Sequence, residues 1–241
     1  MKEAYIDGDM LVYRSAFSNE IETRWNDDIH TLHTDTHQAV AYVDDMIDSI
    51  LNTINVENYY VAYTAPDNYR YELLPTYKSN RKSKRKPLGL PTIIQATQAR
   101  HPTIIIDRLE ADDVIGIMCT RNPNTTIAVS GDKDFATLPI TWYNFLTKET
   151  TTRNEEEANF NHLVQTLTGD KVDGYEGIKG VGPVTAKKIL DKDGASWATV
   201  VDAYEKKGMH EYEALLSARM AYILRNQNYN NGKVELWLPT K

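Results

Sequence analysis

The stretch TIAVSGDKDFATL, residues 126–138, places two aspartates directly after a short β-rich run. Residues 126–130 are mostly β-branched or small and are followed by glycine, which predicts a buried strand. Asp132 and Asp134 then stand where the chain turns away from that strand. In an open α/β sheet, ligands collect at the carboxyl ends of the strands. This stretch therefore predicts an α/β fold with acidic groups at its ligand-binding edge.

Further β-rich runs alternate with helical patterns across the first 150 residues. They read AYID (4–7), YYVAY (59–63), TIII (103–106) and TWYNF (141–145). Between the first two, residues 38–54 place apolar side chains at three- and four-residue spacing, which predicts an amphipathic helix capped by Asp35 or Thr36. Strands that alternate with helices predict a mostly parallel central sheet flanked by helices.

After Thr150 the β signal fades and helical patterns dominate. The expected helices cover residues 160–168, 184–190, 197–206 and 211–225. We therefore divide the chain into an α/β core, residues 1–155, and a helical part, residues 156–241. The final apolar run, VELWLP at 234–239, is interpreted as an edge strand that returns to the core, although its proline limits pairing.

Composition indicates a soluble globular protein. The 241 residues are 41% hydrophobic and 25% charged, with a formal net charge of -7 and a single cysteine, Cys119. One cysteine excludes an internal disulfide and a cysteine-rich zinc site, and it fits a reducing compartment. The acidic start MKEAYIDGD is unlike a signal peptide, and no apolar run reaches the length of a membrane span. We therefore expect a cytoplasmic protein with no membrane partner.

Nine carboxylates stand at the predicted turns after strands or at the start of the helical part. They are Asp7, Asp9, Glu110, Asp112, Asp113, Asp132, Asp134, Asp170 and Asp173. Gathered in one cleft they would repel one another strongly unless divalent cations neutralised them. An oxygen-only donor set suits Mg²⁺ or Mn²⁺, and two such ions about 4 Å apart promote phosphodiester hydrolysis. The alternative is that each acid caps a helix or lies in a solvated turn.

Positive charge is concentrated in one segment despite the acidic total. KSNRKSKRK at 78–86 holds six basic residues in nine positions and follows Arg70, Tyr71 and Tyr77. Cations beside aromatic rings are typical of a path for single-stranded nucleic acid; a solvated charged loop is the alternative. Residues 78–90 are too few for two helices, so we expect a basic flap with at most one helix.

The glycine-rich segment GIKGVGPVTAKKIL, residues 177–190, has the features of a phosphate-binding turn. Gly180 and Gly182 let the backbone approach a partner closely, and Pro183 suits the first position of a helix. The free N–H groups at that helix start can face a phosphate, with Lys187 and Lys188 one turn further on. Such a segment holds a nucleic-acid backbone without reading bases. A plain connection between two helices is the alternative.

Together these motifs resemble the flap endonuclease and 5′-3′ exonuclease family, above all its short bacteriophage exonucleases and the 5′-nuclease domain of bacterial DNA polymerase I. The similar stretches are IDGD (6–9), YRYELLPTYKSNR (69–81), LEADDVIG (109–116), SGDKDFATL (130–138) and TGDKVDGYEGIKGVGPVTAKKIL (168–190). The resemblance runs nearly end to end. It implies a PIN-like nuclease core and a helix-three-turn-helix at 161–190 that grips duplex DNA.

The resemblance implies two metal sites. The ligands of the first match Asp7, Glu110, Asp112 and Asp113. The ligands of the second match Asp132, Asp134, Asp170 and Asp173. We expect two Mg²⁺ or Mn²⁺ ions there, and K⁺ among backbone carbonyls of the helix-three-turn-helix. The roles of Asp9 and Asp67 stay open. Many members of the family have an aspartate directly after their second strand, whereas Asp67 lies further along the chain and closer to Arg70.

The resemblance also implies DNA contacts. Lys78 and Arg81 match a catalytic basic pair beside the scissile phosphate, Tyr77 matches a base-stacking ring, and Arg70 fits a phosphate contact. The other expected contacts lie in the flap and the glycine-rich segment: Lys82, Lys84, Arg85, Gly180, Gly182, Lys187 and Lys188. Whether so short a flap closes over a 5′ strand stays open.

The resulting hypothesis is a monomeric Mg²⁺-dependent 5′-3′ exonuclease or flap endonuclease of phage DNA replication, primer removal or recombination. Its substrates would be duplex DNA with a 5′ end or 5′ flap, or an RNA–DNA hybrid. A haloacid-dehalogenase-type phosphatase with an N-terminal aspartate nucleophile is one alternative, but it leaves the basic flap unexplained. A non-catalytic DNA-binding protein is the other, but it has no need of eight matched acids.

Two minor patterns are interpreted as structural. His30, His33 and His37 have metal-like spacing in a polar stretch without cysteine, which favours a surface loop or hairpin over a zinc site. Trp25 and Trp142 are expected to be packing rather than stacking residues.

Overall fold

A six-stranded sheet lies at the centre of the computed structural model, which describes residues 2–81 and 83–239. Its strands are β1 (Glu3–Asp7), β4 (Asn58–Ala62), β5 (Thr103–Ile104), β6 (Thr126–Val129), β7 (Thr141–Asn144) and β8 (Glu149–Thr152). Their order across the sheet is β5-β4-β1-β6-β7-β8. All neighbours are parallel except β8, which pairs antiparallel with β7. The predicted mostly parallel sheet is confirmed.

Helices cover both faces of the sheet. One face carries α1 (Gly8–Ser18), α2 (Thr36–Ile54) and α4 (Leu90–Arg100), and the other carries α5 (Ala111–Arg121). Neighbouring residues of a strand point to opposite faces. Accordingly, Ile6 packs in the core under the first three helices, whereas Tyr5 packs in the core under α5.

The amphipathic pattern of residues 38–54 forms α2 as predicted. Asp35 is its N-cap, and its Oδ1 accepts a hydrogen bond from the Gln38 N–H at 3.0 Å. Val43, Ile47 and Ile50 are buried against the sheet. Burial of each such side chain contributes about 1.5–3 kcal/mol to stability. Packing of this apolar face therefore stabilises the helix more than the intrinsic helix propensity of its residues does.

Four helices follow the sheet, as the sequence predicts. They are α6 (Glu155–Thr168), α7 (Pro183–Asp193), α8 (Trp197–Glu205) and α9 (Glu211–Ala221). The first begins earlier than expected because the Asn154 side chain caps it, accepting from the Glu157 N–H at 2.8 Å. The last ends at Ala221 rather than Arg225, because the chain becomes extended there and the Leu224 N–H donates to Asp113 Oδ1 at 3.0 Å. These helices share their own apolar core around Leu167.

A tight hairpin connects α6 to α7. It pairs β9 (Gly169–Asp170) with β10 (Tyr175–Glu176) in antiparallel orientation. A Cβ on Gly177 would stand 2.3 Å from the Gly169 nitrogen, so only glycine fits where the two arms cross. Gly180 has a φ of +83°, which also favours glycine. The glycine-rich segment is thus a turn between two helices.

A second hairpin projects from the body between α1 and α2. Its strands, β2 (Glu20–Arg24) and β3 (His30–Thr34), contain His30 and His33, which confirms the expected surface hairpin for these two residues, whereas His37 lies in α2. Trp25 lies at its tip and is 68% exposed, so the expected packing role is wrong for this ring. Trp142, at 8% exposed, does pack in the interior.

The flap agrees with the expected limit of at most one helix, whereas the tail differs from the prediction. After the short α3 (Arg70–Leu73), the described part of the flap contains only the 3-10 turn Ser79–Arg81 and no α-helix; Lys82 lies outside the described residues. In the tail, β11 (Tyr229–Asn230) pairs with β12 (Lys233–Val234) and not with the central sheet. The expected edge strand is therefore wrong, because Trp237 instead packs its ring on His162 and Trp197.

Two further observations concern membrane-spanning helices and the single thiol. No helix in residues 2–81 and 83–239 has the length and apolar character needed to cross a lipid bilayer. Cys119 is fully buried on α5, and burial raises the pKa of its thiol to about 12.

Candidate active site

The carboxyl end of β1 contributes the first acidic pair. Asp7 is the N-cap of α1, and its Oδ1 accepts from the Met10 N–H at 3.0 Å while its Oδ2 accepts from Ser130 Oγ at 2.8 Å. Asp9 follows in the first turn, where its Oδ2 accepts from the Thr64 N–H at 3.0 Å. Both carboxylates line one cavity, so Asp9 joins the acids of the site.

The end of β6 contributes a second pair. Asp132 caps the 3-10 helix Lys133–Thr137, and its Oδ1 accepts from the Asp134 N–H at 2.9 Å. The Asp132 N–H in turn donates to Ser130 Oγ at 3.1 Å. Ser130 therefore links Asp7 and Asp132, two carboxylates that follow neighbouring strands. The sequence pattern does not predict this role, although the position of Ser130 at the end of its strand was the available signal.

The start of α5 contributes Glu110 and Asp112, but not Asp113. Asp113 is fully buried, and its carboxylate accepts from Arg70 Nη1 at 2.5 Å, from Arg70 Nη2 at 2.9 Å and from the Leu224 N–H. It does not line the cavity. The structure therefore assigns Asp113 to the framework of the site rather than to its metal ligands, which corrects the prediction made from the resemblance.

Arg70 belongs to the same framework. Its side chain is only 3% exposed; besides Asp113, Nη1 donates to Glu110 at 3.3 Å and Nη2 to the Tyr222 carbonyl at 2.8 Å. With these groups already bound, its guanidinium is poorly placed to contact a phosphate. The prediction of a direct phosphate contact is corrected to a positioning role for Glu110 and Asp113.

Two carboxylates, Glu110 and Asp173, are paired with basic side chains of the flap. Lys78 Nζ lies 2.5 Å from Glu110 Oε1 and 3.8 Å from Asp173 Oδ2, and Arg81 forms an ion pair with Asp173. Burial alone would raise the pKa of Glu110, but the cations Arg70 and Lys78 overcome it and lower that pKa. The predicted basic pair therefore stands in the site, bound to acids.

The predicted stacking ring, Tyr77, is buried. It is 2% exposed and packs with Tyr175 and Met220, and its hydroxyl donates to Glu110 Oε2 at 2.9 Å and lies 3.2 Å from Asp173 Oδ2. A ring in this position has no free face for a base, so the stacking role is corrected to a positioning one. The exposed rings in the cavity are Tyr13 and Tyr71, at 42% and 41% exposure.

The acids meet in a cavity of about 860 Å³ between the strand ends, the flap and the helical part. The carboxylates in its lining are Asp7, Asp9, Glu110, Asp112, Asp132, Asp134 and Asp173. Basic side chains also line it: Arg14, Arg70, Lys78, Arg81, Lys84 and Lys86. The cavity therefore brings together groups of both charges from the sheet and the flap.

Five of the acids, which we call the unpaired carboxylates, are Asp7, Asp9, Asp112, Asp132 and Asp134. Within residues 2–81 and 83–239, none of them forms an ion pair with a basic side chain. Burial, reinforced by a neighbouring aspartate, raises the pKa of Asp7 to about 7 and that of Asp134 to about 7. Burial and the charges of Asp7 and Asp132 likewise raise the pKa of Asp112. The carboxylates with raised pKa values therefore favour a bound cation or proton.

The donor chemistry fits divalent cations. The unpaired carboxylates offer hard oxygen atoms, and no histidine or cysteine of the described ranges lines the cavity. In the same ranges, no group of three or more acidic, histidine or cysteine side chains already stands in an ion-coordinating arrangement. The acids thus surround the cavity without yet converging on a point, as expected for like charges that repel one another.

Asp170 supports the site from outside the cavity. Its Oδ1 accepts from the Val172 N–H at 2.6 Å and from the Asp173 N–H at 3.2 Å, so it shapes the turn that carries Asp173. The flap rests on this turn, since the Lys78 N–H donates to the Asp173 carbonyl at 2.8 Å and Asn80 Nδ2 to the Lys171 carbonyl at 2.9 Å. The predicted ligand role of Asp170 therefore stays a prediction.

The remaining predicted residues lie around the site. Gly180, Gly182, Lys187 and Lys188 are exposed and lie outside the cavity lining, as does Asp67. Lys84 lines the cavity, whereas Arg85 forms a bidentate pair with Glu20 at 2.7 and 2.6 Å.

The fold and the sequence both match known nucleases. The chain is 30% identical to the exodeoxyribonuclease of Enterobacteria phage T3 over 97% of its length and 92% of that protein, and 30% identical to the exonuclease of Escherichia phage T7 over the same shares. The T5 5′-exonuclease with bound zinc has the same fold, with a TM-score of 0.71 at 16% identity over 92% of this chain and 89% of that chain. A family model, "5′-3′ exonuclease, N-terminal resolvase-like domain", matches residues 3–165. These matches show that the chain belongs to the 5′-3′ exonuclease family.

Proposed function

We propose that this protein is a divalent-cation-dependent nuclease that hydrolyses DNA phosphodiesters at or near 5′ ends. The observation that carries the proposal is the single cavity in which unpaired carboxylates stand beside Lys78 and Arg81. Carboxylates suit a divalent cation, and charge-assisted donors suit a phosphate. The name of the T3 relative, an exodeoxyribonuclease, supports cleavage of DNA, that of the T7 relative supports exonuclease activity, and a T5 flap endonuclease of the same fold was solved with DNA and metal ions.

The acids are proposed to hold Mg²⁺ or Mn²⁺. Bound there, such ions would lower the pKa of a water molecule and neutralise charge on the reacting phosphodiester. The unpaired carboxylates are the main ligands we propose, because none of them forms an ion pair with a basic side chain of the described residues, and burial raises the pKa of Asp7, Asp112 and Asp134. Glu110 and Asp173 become available as further oxygen donors once Lys78 and Arg81 leave them.

The basic pair is proposed to move from acid to substrate. In the structure, Lys78 and Arg81 are ion-paired with Glu110 and Asp173. A phosphate that enters the cavity offers both cations a second partner, and donors positioned at a phosphate stabilise the charge that develops there. Tyr77 and Arg70 hold Glu110 in place meanwhile.

Two surfaces are proposed to bind the substrate around the cleavage site. Tyr13 and Tyr71 offer exposed rings for stacking, and Arg14, Lys84 and Lys86 offer charges along a single strand. The exposed turn at Gly180 and Gly182 with Lys187 and Lys188 holds the backbone of a duplex, and its carbonyls offer a place for K⁺. We propose action as a monomer on duplex, flapped or RNA-primed 5′ ends.

The phosphatase alternative assigns the nucleophile to Asp7. In the structure, both oxygens of Asp7 accept hydrogen bonds and the side chain is 6% exposed, which fits a held ligand better than an attacking group. A pure DNA-binding role leaves the five unpaired carboxylates without a purpose, since their mutual repulsion destabilises the fold.

Cleavage assays separate these functions. DNA with a label at the 5′ or 3′ end, as duplex and as 5′ flap, is incubated with Mg²⁺ and then with a chelator, beside a small phosphate ester. We expect wild type to release 5′ mononucleotides or flaps with Mg²⁺ only, and Asp132→Asn to release none. Asp45→Asn, an exposed acid of α2, is the matched control and should cleave like wild type. DNA binding without cleavage, or turnover of the ester alone, would contradict the proposal.

A further inference from the structure

One side chain of the cavity lining is partly exposed but has a buried oxygen atom without a hydrogen-bond partner among the described residues. Gln165 lies on α6 and lines the cavity. One turn before it, Asn161 Nδ2 donates to the Ala136 carbonyl at 3.0 Å, which fixes this face of α6 against the 3-10 helix that carries Asp134. Gln165 is thereby held beside Asp134 by the packing of α6.

The two ends of the Gln165 amide face different environments. Burial and Asp132 raise the pKa of Asp134 to about 7, and the Gln165 amide is close enough to Asp134 to offset part of this rise by favouring the ionised carboxylate. The other end, Oε1, is buried and has no hydrogen-bond partner among the described residues. A buried polar atom without a partner is costly, and in native proteins it commonly signals a water molecule or an ion.

The surroundings of Oε1 restrict what can bind it. Asp134 is the acid beside Gln165, and Asp132 and Asp173 line the same cavity; once a cation has displaced their protons, these carboxylates accept hydrogen bonds but donate none. A donor that acidic groups tolerate is therefore a fitting partner for Oε1 in the cation-bound protein. The waters around a hydrated divalent cation are such donors, because Mg²⁺ keeps several of its waters when carboxylates bind it.

We propose that Gln165 is a positioning residue of the cation site, whose amide N–H orients Asp134 and whose Oε1 accepts a hydrogen bond from a water carried by the bound cation. This inference rests on the proposed function, since it needs a divalent cation on the Asp132 and Asp134 side of the cavity. Groups that orient metal ligands and their waters from outside commonly change metal affinity 10- to 100-fold. A neutral amide performs this task without adding another charge to the acids.

The test measures cation binding directly and without DNA. Free Mn²⁺ is followed by electron paramagnetic resonance while it is titrated into the full chain, and the rise in Tm with Mn²⁺ is a second readout. Gln165→Met removes both polar ends at nearly constant volume. Gln165→Glu keeps an acceptor oxygen and the size of the side chain. Gln95→Met, the same change on the exposed side of α4, is the control.

We expect Gln165→Met to bind Mn²⁺ about tenfold more weakly than wild type, Gln165→Glu to bind at least as tightly as wild type, and the control to be unchanged. In cleavage, the Mg²⁺ concentration for half-maximal rate should rise for Gln165→Met, with the rate at saturating Mg²⁺ nearly retained. The proposal is overturned if Gln165→Met binds Mn²⁺ like wild type. It is also overturned if Gln165→Glu is as weak as Gln165→Met, because the acceptor is then irrelevant. A wild type that binds no Mn²⁺ would instead contradict the proposed function itself.

Discussion

The two groups of acids in the cavity are alike in residue type but opposite in their surroundings. Glu110 and Asp173 have basic partners from the flap; these partners lower the pKa of Glu110, and they offset part of the rise that burial gives the pKa of Asp173. The unpaired carboxylates stand at the ends of β1 and β6 and at the start of α5, and burial raises the pKa of Asp7, Asp112 and Asp134. The comparison indicates that an added cation stabilises the protein most at carboxylates without a basic partner, so ion pairing matters more than the number of acids.

Neutralising one unpaired carboxylate should have the largest effect. In Asp112→Asn we expect the cleavage rate to fall about 1000-fold, because a cation ligand is lost. The same variant should unfold at a Tm about 2–4 °C higher in chelator, because the mutual repulsion with Asp7 and Asp132 is relieved. The rate is measured on a labelled duplex with Mg²⁺, and the Tm by calorimetry. A Tm below that of wild type would show that Asp112 is not destabilising.

Removing a partner of the paired carboxylates should have a smaller effect on rate. Lys78→Met should lower cleavage about 100-fold, since a donor to the phosphate is lost. It should also lower the free energy of unfolding by about 1–3 kcal/mol, because Glu110 keeps only Arg70 and Tyr77.

A matched surface pair tests this explanation. Arg100→Met breaks the pair with Asp44 at the surface, where the arginine side chain is 58% exposed, and should cost at most about 1 kcal/mol. Urea unfolding in chelator measures both variants. Equal losses for Lys78→Met and Arg100→Met would contradict the distinction between the cavity and the surface.

The pH dependence of the cation-free protein should be the smallest of these effects. The pKa values of Asp7 and Asp134 are raised from 3.8 to about 7 by folding. Between these values the folded protein binds more protons than the unfolded chain, so its stability falls as pH rises and the loss is complete above about pH 7.

Calorimetry in chelator at about pH 5.5 and about pH 8 measures this difference. We expect the lower Tm at the higher pH, and Mg²⁺ should raise the Tm more at the higher pH, where it no longer competes with protons. A Tm in chelator that rises from the lower to the higher pH would contradict the raised pKa values.

The sequence predicts the fold well because its signals are local. A β-rich run such as TIAVS and the periodicity of α2 each need only neighbouring residues, and the acids at the strand ends follow from them. Asp112 and Asp113 are adjacent in the first turn of α5, and their roles differ only because Arg70, about 40 residues away, binds one of them. The burial of Tyr77 depends in the same way on a distant partner, Met220 of α9.

The positions predicted least well are those defined by contacts between separate segments. Gln165 carries no motif, and its unpartnered oxygen is visible only once α6 lies against the 3-10 helix at Lys133–Thr137. The exposed Tyr13 of α1 and Tyr71 of α3 line the same cavity although they lie far apart in the sequence, so no local pattern predicts that they share a surface. The tail failed as a strand because ring packing of Trp237 replaced hydrogen bonding to the sheet.

The burial of Cys119 makes the chain convenient for site-specific labelling. This thiol is the only one in the sequence, and inside α5 it is both inaccessible and protonated at neutral pH. Because thiol reagents react with accessible thiolates, they should leave the native protein unmodified. A cysteine introduced at the exposed Ser83 would then be the sole reactive group. A fluorophore attached there would report when the flap leaves Glu110 and Asp173 as cation or DNA is added.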